Sequence, residues 1–341
     1  MTPGQPTTTI TAVVPLFNAE RLIERILAPL LGALQRGELA EIIVVDDCST
    51  DDSPQRVRAY PQIRLLRTTR QSGPGGARNL AAETAHGDVL WFVDSDVIVD
   101  DNAARVVAEC FADPTVTALM GSYDEAPGAQ NFLSQYKNLV HHYYHQRGRE
   151  EASTFWAGCG AVRTREFRAI QGFDAKRYRF PSIEDIDLGY RLRAAGGRII
   201  LDKRLQGKHL KEWRIVNLLH TEIFRRAIPW SALMLERGAI TNDLNVGHSE
   251  RARGVLAVSC LAVVVLTLGG WLPWWGVVVM LGASVLANID FIRFFTRTRN
   301  VWFATRAFFF HQAYYCYSSA AFAWAVLRHT FRRRASTTTA D

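Results

Sequence analysis

Between Arg253 and Asp290 the chain runs for 36 residues without a charged side chain. As a single α-helix that stretch would measure roughly 54 Å at about 1.5 Å per residue, far more than the ~30 Å hydrocarbon layer of a bilayer, so it has to fold back on itself. Gly269, Gly270 and Pro273 lie near its middle among Trp271, Trp274 and Trp275, a turn carrying the indole rings that favour a membrane–water boundary. Residues 254–289 therefore read as a membrane hairpin. The alternative, a buried hairpin of a soluble domain, has too few polar residues for an outer face. A third apolar run, 307–327, lies between Arg306 and Arg328 and contains His311 and Gln312.

Charge supports this division. The chain carries a formal +7, but residues 251–341 hold ten arginines, no lysine and only Asp290 and Asp341 as acids, which leaves the first 250 residues at −1. A basic protein of this size usually suggests a nucleic-acid partner; here the arginines flank apolar segments, so membrane topology explains them and nucleic acid is not expected. Arg251, Arg253, Arg293, Arg297 and Arg299 suit a cytoplasmic body joined to two crossings. Arg332, Arg333 and Arg334 fit two crossings plus an interfacial helix, whereas the length of the third run favours three, which is the expectation carried forward. The five cysteines (Cys48, Cys110, Cys159, Cys260, Cys316) form no CxxC pair and read as reduced thiols, and MTPGQPTTTI has neither the basic start nor the apolar core of an export signal. The expected location is the inner membrane, multi-pass, with the catalytic part in the cytoplasm. Residues 213–250 read as amphipathic interfacial helices: Trp213, Val216, Leu219, Ile223, Ala227, Trp230 and Leu233 recur at helical spacing, Arg214, Arg225 and Arg226 are interleaved, and Pro229 breaks the pattern. An ordinary amphipathic helix packed on the domain is the other reading.

Residues 1–212 have a different pattern. Short β-branched runs at 9–14, 41–45, 63–66 and 89–93 alternate with helical stretches at 19–34, 52–59, 75–85 and 102–112. That alternation predicts an α/β fold with a doubly wound, mostly parallel sheet, in which ligands bind beyond the carboxyl ends of the strands. Pro15-Leu16-Phe17-Asn18, Asp46-Asp47-Cys48-Ser49 and Asp94-Ser95-Asp96 follow three of those strands. Carboxylates grouped on one edge repel unless a cation or donors compensate them. A divalent ion on Asp94 and Asp96 bridging a diphosphate would do so, with Mg²⁺ or Mn²⁺ suited to oxygen ligands, and Asp47 could accept hydrogen bonds from a base edge or ribose. Helix capping is the competing reading for each acid alone. Ser72-Gly73-Pro74-Gly75-Gly76-Ala77-Arg78-Asn79 is a glycine-rich entry to a helix without the Lys-Ser/Thr of a P-loop; Arg78 could approach a phosphate. Glu184, Asp185 and Asp187 crowd the start of a helix expected at 188–195, more acid than a helix dipole requires, so one of them could be a general base. His209, after a short strand expected at 198–201, reads as a structural histidine or as a metal or phosphate contact. His141, His142 and His145 read as part of an aromatic helix near an acceptor cleft or the membrane, with a metal site as the alternative.

In order, VVPLFNAE, VVDDCSTDD, GPGGARN, FVDSDV, FWAGCGAVRTREFRAIQGFD and IEDIDLGYRLRAAGG resemble the family-2 glycosyltransferases of GT-A fold, over roughly residues 8–250. The resemblance implies transfer, with inversion, of a sugar from a nucleotide-diphosphate donor, a UDP-sugar more readily than a GDP-sugar, with Mg²⁺ or Mn²⁺. Carried over, Pro15, Phe17 and Asp47 would hold the nucleoside. Arg78 and Asn79 would lie near the diphosphate or sugar, Asp94 near ribose and sugar, and Asp96 on the metal, with Asp94 and His209 as further metal contacts. Trp156-Ala157-Gly158 would shape the donor-sugar and acceptor site; Asp185 would be the base and Glu184 would place the acceptor. A QxxRW motif is absent, which argues against a processive polymerase. The hairpin points to a lipid-linked or membrane-proximal acceptor. Two rivals remain: a haloacid-dehalogenase-type phosphohydrolase using Asp94 as nucleophile, and a non-catalytic membrane scaffold of the same fold.

Overall fold

In the computed structural model, which describes residues 8–238 and 244–338 with side chains up to residue 331, the chain divides into two compact units, Met1–Glu212 and Trp213–Asp341. The side chains of Arg332, Arg333 and Arg334 and the first seven residues of the N-terminal stretch fall outside the described residues.

The first unit is a nine-stranded mixed sheet built from β1 (Ile10–Leu16), β2 (Glu41–Asp46), β3 (Ile63–Arg67), β4 (Val89–Val93), β5 (Val97–Val99), β6 (Val116–Tyr123), β7 (Glu151–Ala152), β8 (Cys159–Arg163) and β9 (Arg198–His209). The strand order is β3-β2-β1-β4-β8-β6-β9-β5, with β7 added along β9. Its helices are α1 (Ile23–Gln35), α2 (Ser53–Arg58), α3 (Gly73–Thr84), α4 (Ala103–Phe111), α5 (Phe132–Arg147), α6 (Thr164–Ala169) and α7 (Glu184–Ala194). All seven residues of β1 are buried, as a central strand covered on both faces requires. β1 pairs in parallel with β2 and β4, and β2 with β3, so these four strands end on one edge and their following loops converge. Helix α1 packs Ile23, Ile26, Leu27 and Leu30 at helical spacing into the core beneath that edge.

Two antiparallel pairings complete the edge. Val93 is opposite Cys159, which lays residues 156–158 beside 94–96. Val97 is opposite His209, which lays His209 beside Asp96. The short strand expected at 198–201 is the first third of a 12-residue strand. Polar Asp202-Lys203-Arg204 hides its continuation from a hydrophobic pattern, and an irregularity absorbs these residues: β9 advances from Leu201 to Gln206 while β6 advances only from Met120 to Ser122. The helix expected at 188–195 begins four residues earlier, at Glu184, so the acid pair occupies its first turn.

The second unit is helical: α8 (Ile215–His220), a π-helical turn (Thr221–Ala227), α9 (Ile228–Arg237), α10 (His248–Leu268), α11 (Trp275–Ala287), α12 (Ile289–Thr298) and α13 (Val301–Thr338). Pro229 does not break the helix. The chain stays helical from Ile215 to Arg237, and the widened π turn just before Pro229 accommodates a residue that has no N–H to donate. Gly269, Gly270 and Pro273 form the break between α10 and α11. Among the described residues one helix, α10, is long and apolar enough to cross a bilayer, or two if α11 and α12, bent by 66°, make one broken span. α13, which carries the third apolar run, is not among them. Arg253, expected as a flanking charge, is largely buried: it pairs with Glu250 at 2.6 Å and donates to the Ala287 carbonyl at 2.9 Å, while Tyr315 donates to Glu250 at 2.6 Å.

Candidate active site

The loops at the sheet edge bring Asp94 and Glu184 together on Arg78. This guanidinium is 3% exposed, lies over the rings of Phe92 and Phe173, hydrogen-bonds Asp94 through Nη2 and stands 3.9 Å from Glu184 through Nη1. One buried cation thus links the acid after β4 to the acid that opens α7. A guanidinium in this setting is worth far more than a surface charge, because water does not screen it.

Asp94 and Asp96 remain about a third exposed toward the cleft. Burial raises the Asp94 pKa, with the neighbouring Asp96 and Asp185 charges adding to the rise and Arg78 opposing it. For Asp96 burial acts the same way, but the His209 imidazole and Lys211 outweigh it and hold the carboxyl below its usual value. His209 is buried, with Nε2 3.5 Å from Asp96 Oδ2. Among the described residues no three such side chains are gathered closely enough to hold an ion by themselves. That suits Mg²⁺ or Mn²⁺, which commonly take one or two protein carboxylates and complete their shell with substrate phosphates and water. Carboxylate oxygens with an imidazole are a fitting donor set, so the residues present fit a divalent ion.

The ED pair divides its labour. Glu184 is 6% exposed and accepts from the Ser182 N–H at 2.8 Å; burial, with Asp185 beside it, pushes its pKa up to about 7. Asp185 is half-buried, with Oδ1 accepting from the Ile186 N–H at 2.8 Å and Oδ2 facing the Ala157 N–H at 3.4 Å. Asp185 is therefore the more exposed acid of the pair.

Other expected residues are placed less simply. Asp47 is buried and accepts from Thr68 Oγ1, the Ser72 N–H, Ser72 Oγ and the Gly73 N–H, all within 2.9 Å. Three of these donors converge on Oδ1 and one, the Gly73 N–H, on Oδ2, so in this structure Asp47 ties down the glycine-rich turn. The Asn79 amide clamps the Phe173 backbone, accepting from the N–H at 2.9 Å and donating to the carbonyl at 2.8 Å. Pro15 is buried in β1, whereas Phe17 is 44% exposed beyond it. The Asp94 N–H bonds the Gly158 carbonyl at 3.1 Å, and a Cβ on Gly158 would strike the indole of Trp156, so that glycine lets the ring fold back over the strand end. Sequence reasoning missed Tyr123, at the end of β6, whose ring stacks on His209 at 4.2 Å; only the alternation of the β6 strand could have signalled it.

The fold is that of a GT-A-like α/β domain with an acid-lined edge. Residues 11–171 match the family model Glycosyl transferase family 2. Asp94 and Asp96 lie inside that match. Among curated relatives, "Succinoglycan biosynthesis protein ExoO" of Rhizobium meliloti is 38% identical over 102 residues, 29% of this chain and 29% of its own. "Beta-monoglucosyldiacylglycerol synthase" of Synechocystis is 32% identical over 129 residues, 36% of this chain and 27% of its own. The chain thus spans less than a third of the length of these relatives. A solved structure, "Mannosyltransferase PcManGT from Pyrobaculum calidifontis in complex with GDP-Man and Mn2+", shares the fold with a TM-score of 0.63 at 20% identity, over 94% of this chain and 88% of that one.

Proposed function

We propose that this protein is an inverting, metal-dependent glycosyltransferase that moves a sugar from a nucleotide-diphosphate donor to a lipid-linked or membrane-proximal acceptor. One observation carries the reading: Arg78 joins the Asp94–Asp96 cluster to the Glu184–Asp185 pair, so the residues suited to a donor diphosphate and those suited to an acceptor stand on two sides of one buried cation. Asp96, Asp94 and His209 would hold a divalent ion, which would supply positive charge to the departing diphosphate.

Asp185 would take the proton of an acceptor hydroxyl as its oxygen bonds to the anomeric carbon and the nucleoside diphosphate leaves with the electron pair of the broken bond. Glu184, sequestered and titrating near neutrality, would orient the acceptor side of the cleft. Phe17 would offer its exposed ring to the nucleobase, with the Asp47-braced turn as the floor beneath it. UDP- and GDP-sugars both fit this description, UDP by the motifs and GDP by the ligand of the mannosyltransferase that shares the fold.

The second unit supports membrane anchoring. Val255, Leu261, Val265, Trp271, Trp274 and Val279 are all exposed on α10, α11 and the break between them, an apolar surface too large for water. The relative named as a diacylglycerol glucoside synthase agrees with a lipid acceptor.

Calorimetric titration with UDP or GDP and Mn²⁺, followed by turnover against a panel of nucleotide sugars, tests the reading. The wild type should bind a nucleotide with the metal, Asp96→Ala should not, and Asp185→Asn should bind normally yet lose transfer to a hydroxyl acceptor by about 10²–10⁴-fold. Nucleotide binding that ignores Asp96→Ala would refute the metal assignment; turnover unchanged in Asp185→Asn would refute the base; no binding by the wild type would leave the scaffold reading.

A further inference from the structure

The His141–His145 stretch and Tyr123 play no part in the mechanism above, yet they form one column of rings that ends on His209. Tyr123 lies flat on His209, centroids 4.2 Å apart and planes 10° apart. His141 lies tilted against Tyr123 at 4.3 Å and is itself stacked on His145 at 3.8 Å, and Trp156 meets Tyr123 edge-on at 4.8 Å.

The backbone of Tyr123 is held by the same helix. His142 Nδ1–H donates to the Tyr123 carbonyl at 2.7 Å, His145 Nδ1–H donates to the Gly121 carbonyl at 2.8 Å, and the Tyr123 N–H points at His141 Nδ1 at 3.4 Å. These carbonyls only accept, which fixes the proton of His142 and of His145 on Nδ1. Sheet register explains how the rings meet. Tyr123 pairs with Gly207 in the parallel β6–β9 ladder, and His209, two residues on, returns to the same face.

We propose that Tyr123 is a positioning residue that holds the His209 imidazole against Asp96, with the histidines of α5 as its clamp. The stack fixes the plane of the imidazole and removes its freedom to swing away from Asp96, the outer-shell support that orienting a ligand requires. The proposal rests on His209 serving the divalent ion and donor diphosphate.

The test is Mn²⁺ binding by the full chain in detergent, followed by electron paramagnetic resonance with UDP or GDP present, for the wild type, Tyr123→Ala, Tyr123→Phe, His209→Ala and the double variant Tyr123→Ala/His209→Ala. Tyr123→Ala should weaken Mn²⁺ roughly tenfold, the lower end for outer-shell substitutions. Tyr123→Phe, which keeps the ring, should stay within about twofold. The double variant should bind no more weakly than His209→Ala, because Tyr123 acts only through that imidazole. Additive losses in the double variant, or wild-type affinity in Tyr123→Ala, would overturn the proposal. Undiminished Mn²⁺ affinity in His209→Ala would refute the metal role of His209 itself, a separable failure. Should Tyr123→Ala not fold, Tyr123→Leu keeps the volume without the stacking plane and takes its place with the same expected loss.

Discussion

Glu184 makes the stability of the catalytic unit depend on pH in a direction opposite to that of most carboxylates. Its folded-state pKa is pushed up from 4.5 to about 7, first by burial and then by Asp185. The folded protein therefore holds this proton more tightly than the unfolded chain does. The resulting stability is fully present below about pH 4.5 and is lost as pH rises through about 7. A difference of roughly 2.5 pH units at about 1.36 kcal/mol each amounts to about 3 kcal/mol. Glu184→Gln removes the titration while its amide oxygen still accepts from the Ser182 N–H. Thermal unfolding of the full chain in detergent, without metal or nucleotide, is the assay. Between pH 5 and pH 8, where about 2.5 kcal/mol of this is lost, the wild type should lose about 5–10 °C more in Tm than Glu184→Gln, at about 2–4 °C per kcal/mol for a unit of this size. At pH 8 the variant should be the more stable protein. Parallel pH profiles for the two proteins would refute the argument that burial confines this charge.

Two further outcomes follow from the geometry. Gly73 has φ +76° and an added Cβ would lie 2.6 Å from the Arg179 carbonyl oxygen, so Gly73→Ala should cost about 2 kcal/mol by denaturant unfolding and raise the KM for the donor by releasing the Asp47-bound turn; wild-type stability would count against that reading. Trp271, Trp274 and Trp275, between 59% and 81% exposed, should be quenched by brominated lipid in nanodiscs, and most of that quenching should vanish in Trp271→Phe/Trp274→Phe/Trp275→Phe; quenching by aqueous iodide instead would place these rings in water.

The parallel half of the sheet was legible because its strands are continuous β-branched runs and each is followed by turn residues or acids. β4 was read at its observed bounds, and β1 to β3 to within two residues at each end. The antiparallel half was not. β8, Cys-Gly-Ala-Val-Arg, is short and glycine-bearing, and β9 hides its second half behind Asp202-Lys203-Arg204. For the site, residue types showed where acids gather, but not who satisfies whom. Asp47 and Asn79 carry side chains suited to a ligand, yet they also bind Ser72, Gly73, Thr68 and Phe173, partners up to 94 residues away that no local pattern reveals. Arg78 presents the opposite case. A lone arginine in a glycine-rich turn became the residue around which two distant acid motifs are organised.

The strand order also has a consequence for synthesis. β4 and β6 follow one another along the chain, apart from the short β5, yet β8 lies between them, and β9 later enters between β6 and β5. When residue 123 has left the ribosome, β4 and β6 each have a long open edge whose native partner has not been made. These edges stay open until residues 159–163 and 198–209 arrive, and such edges template wrong pairings. The nascent chain therefore passes through a window in which half a sheet waits for strands still inside the ribosome. The apolar α10 and α11 are made only after that window has closed, so the catalytic unit can complete its sheet before the most insoluble part of the protein exists.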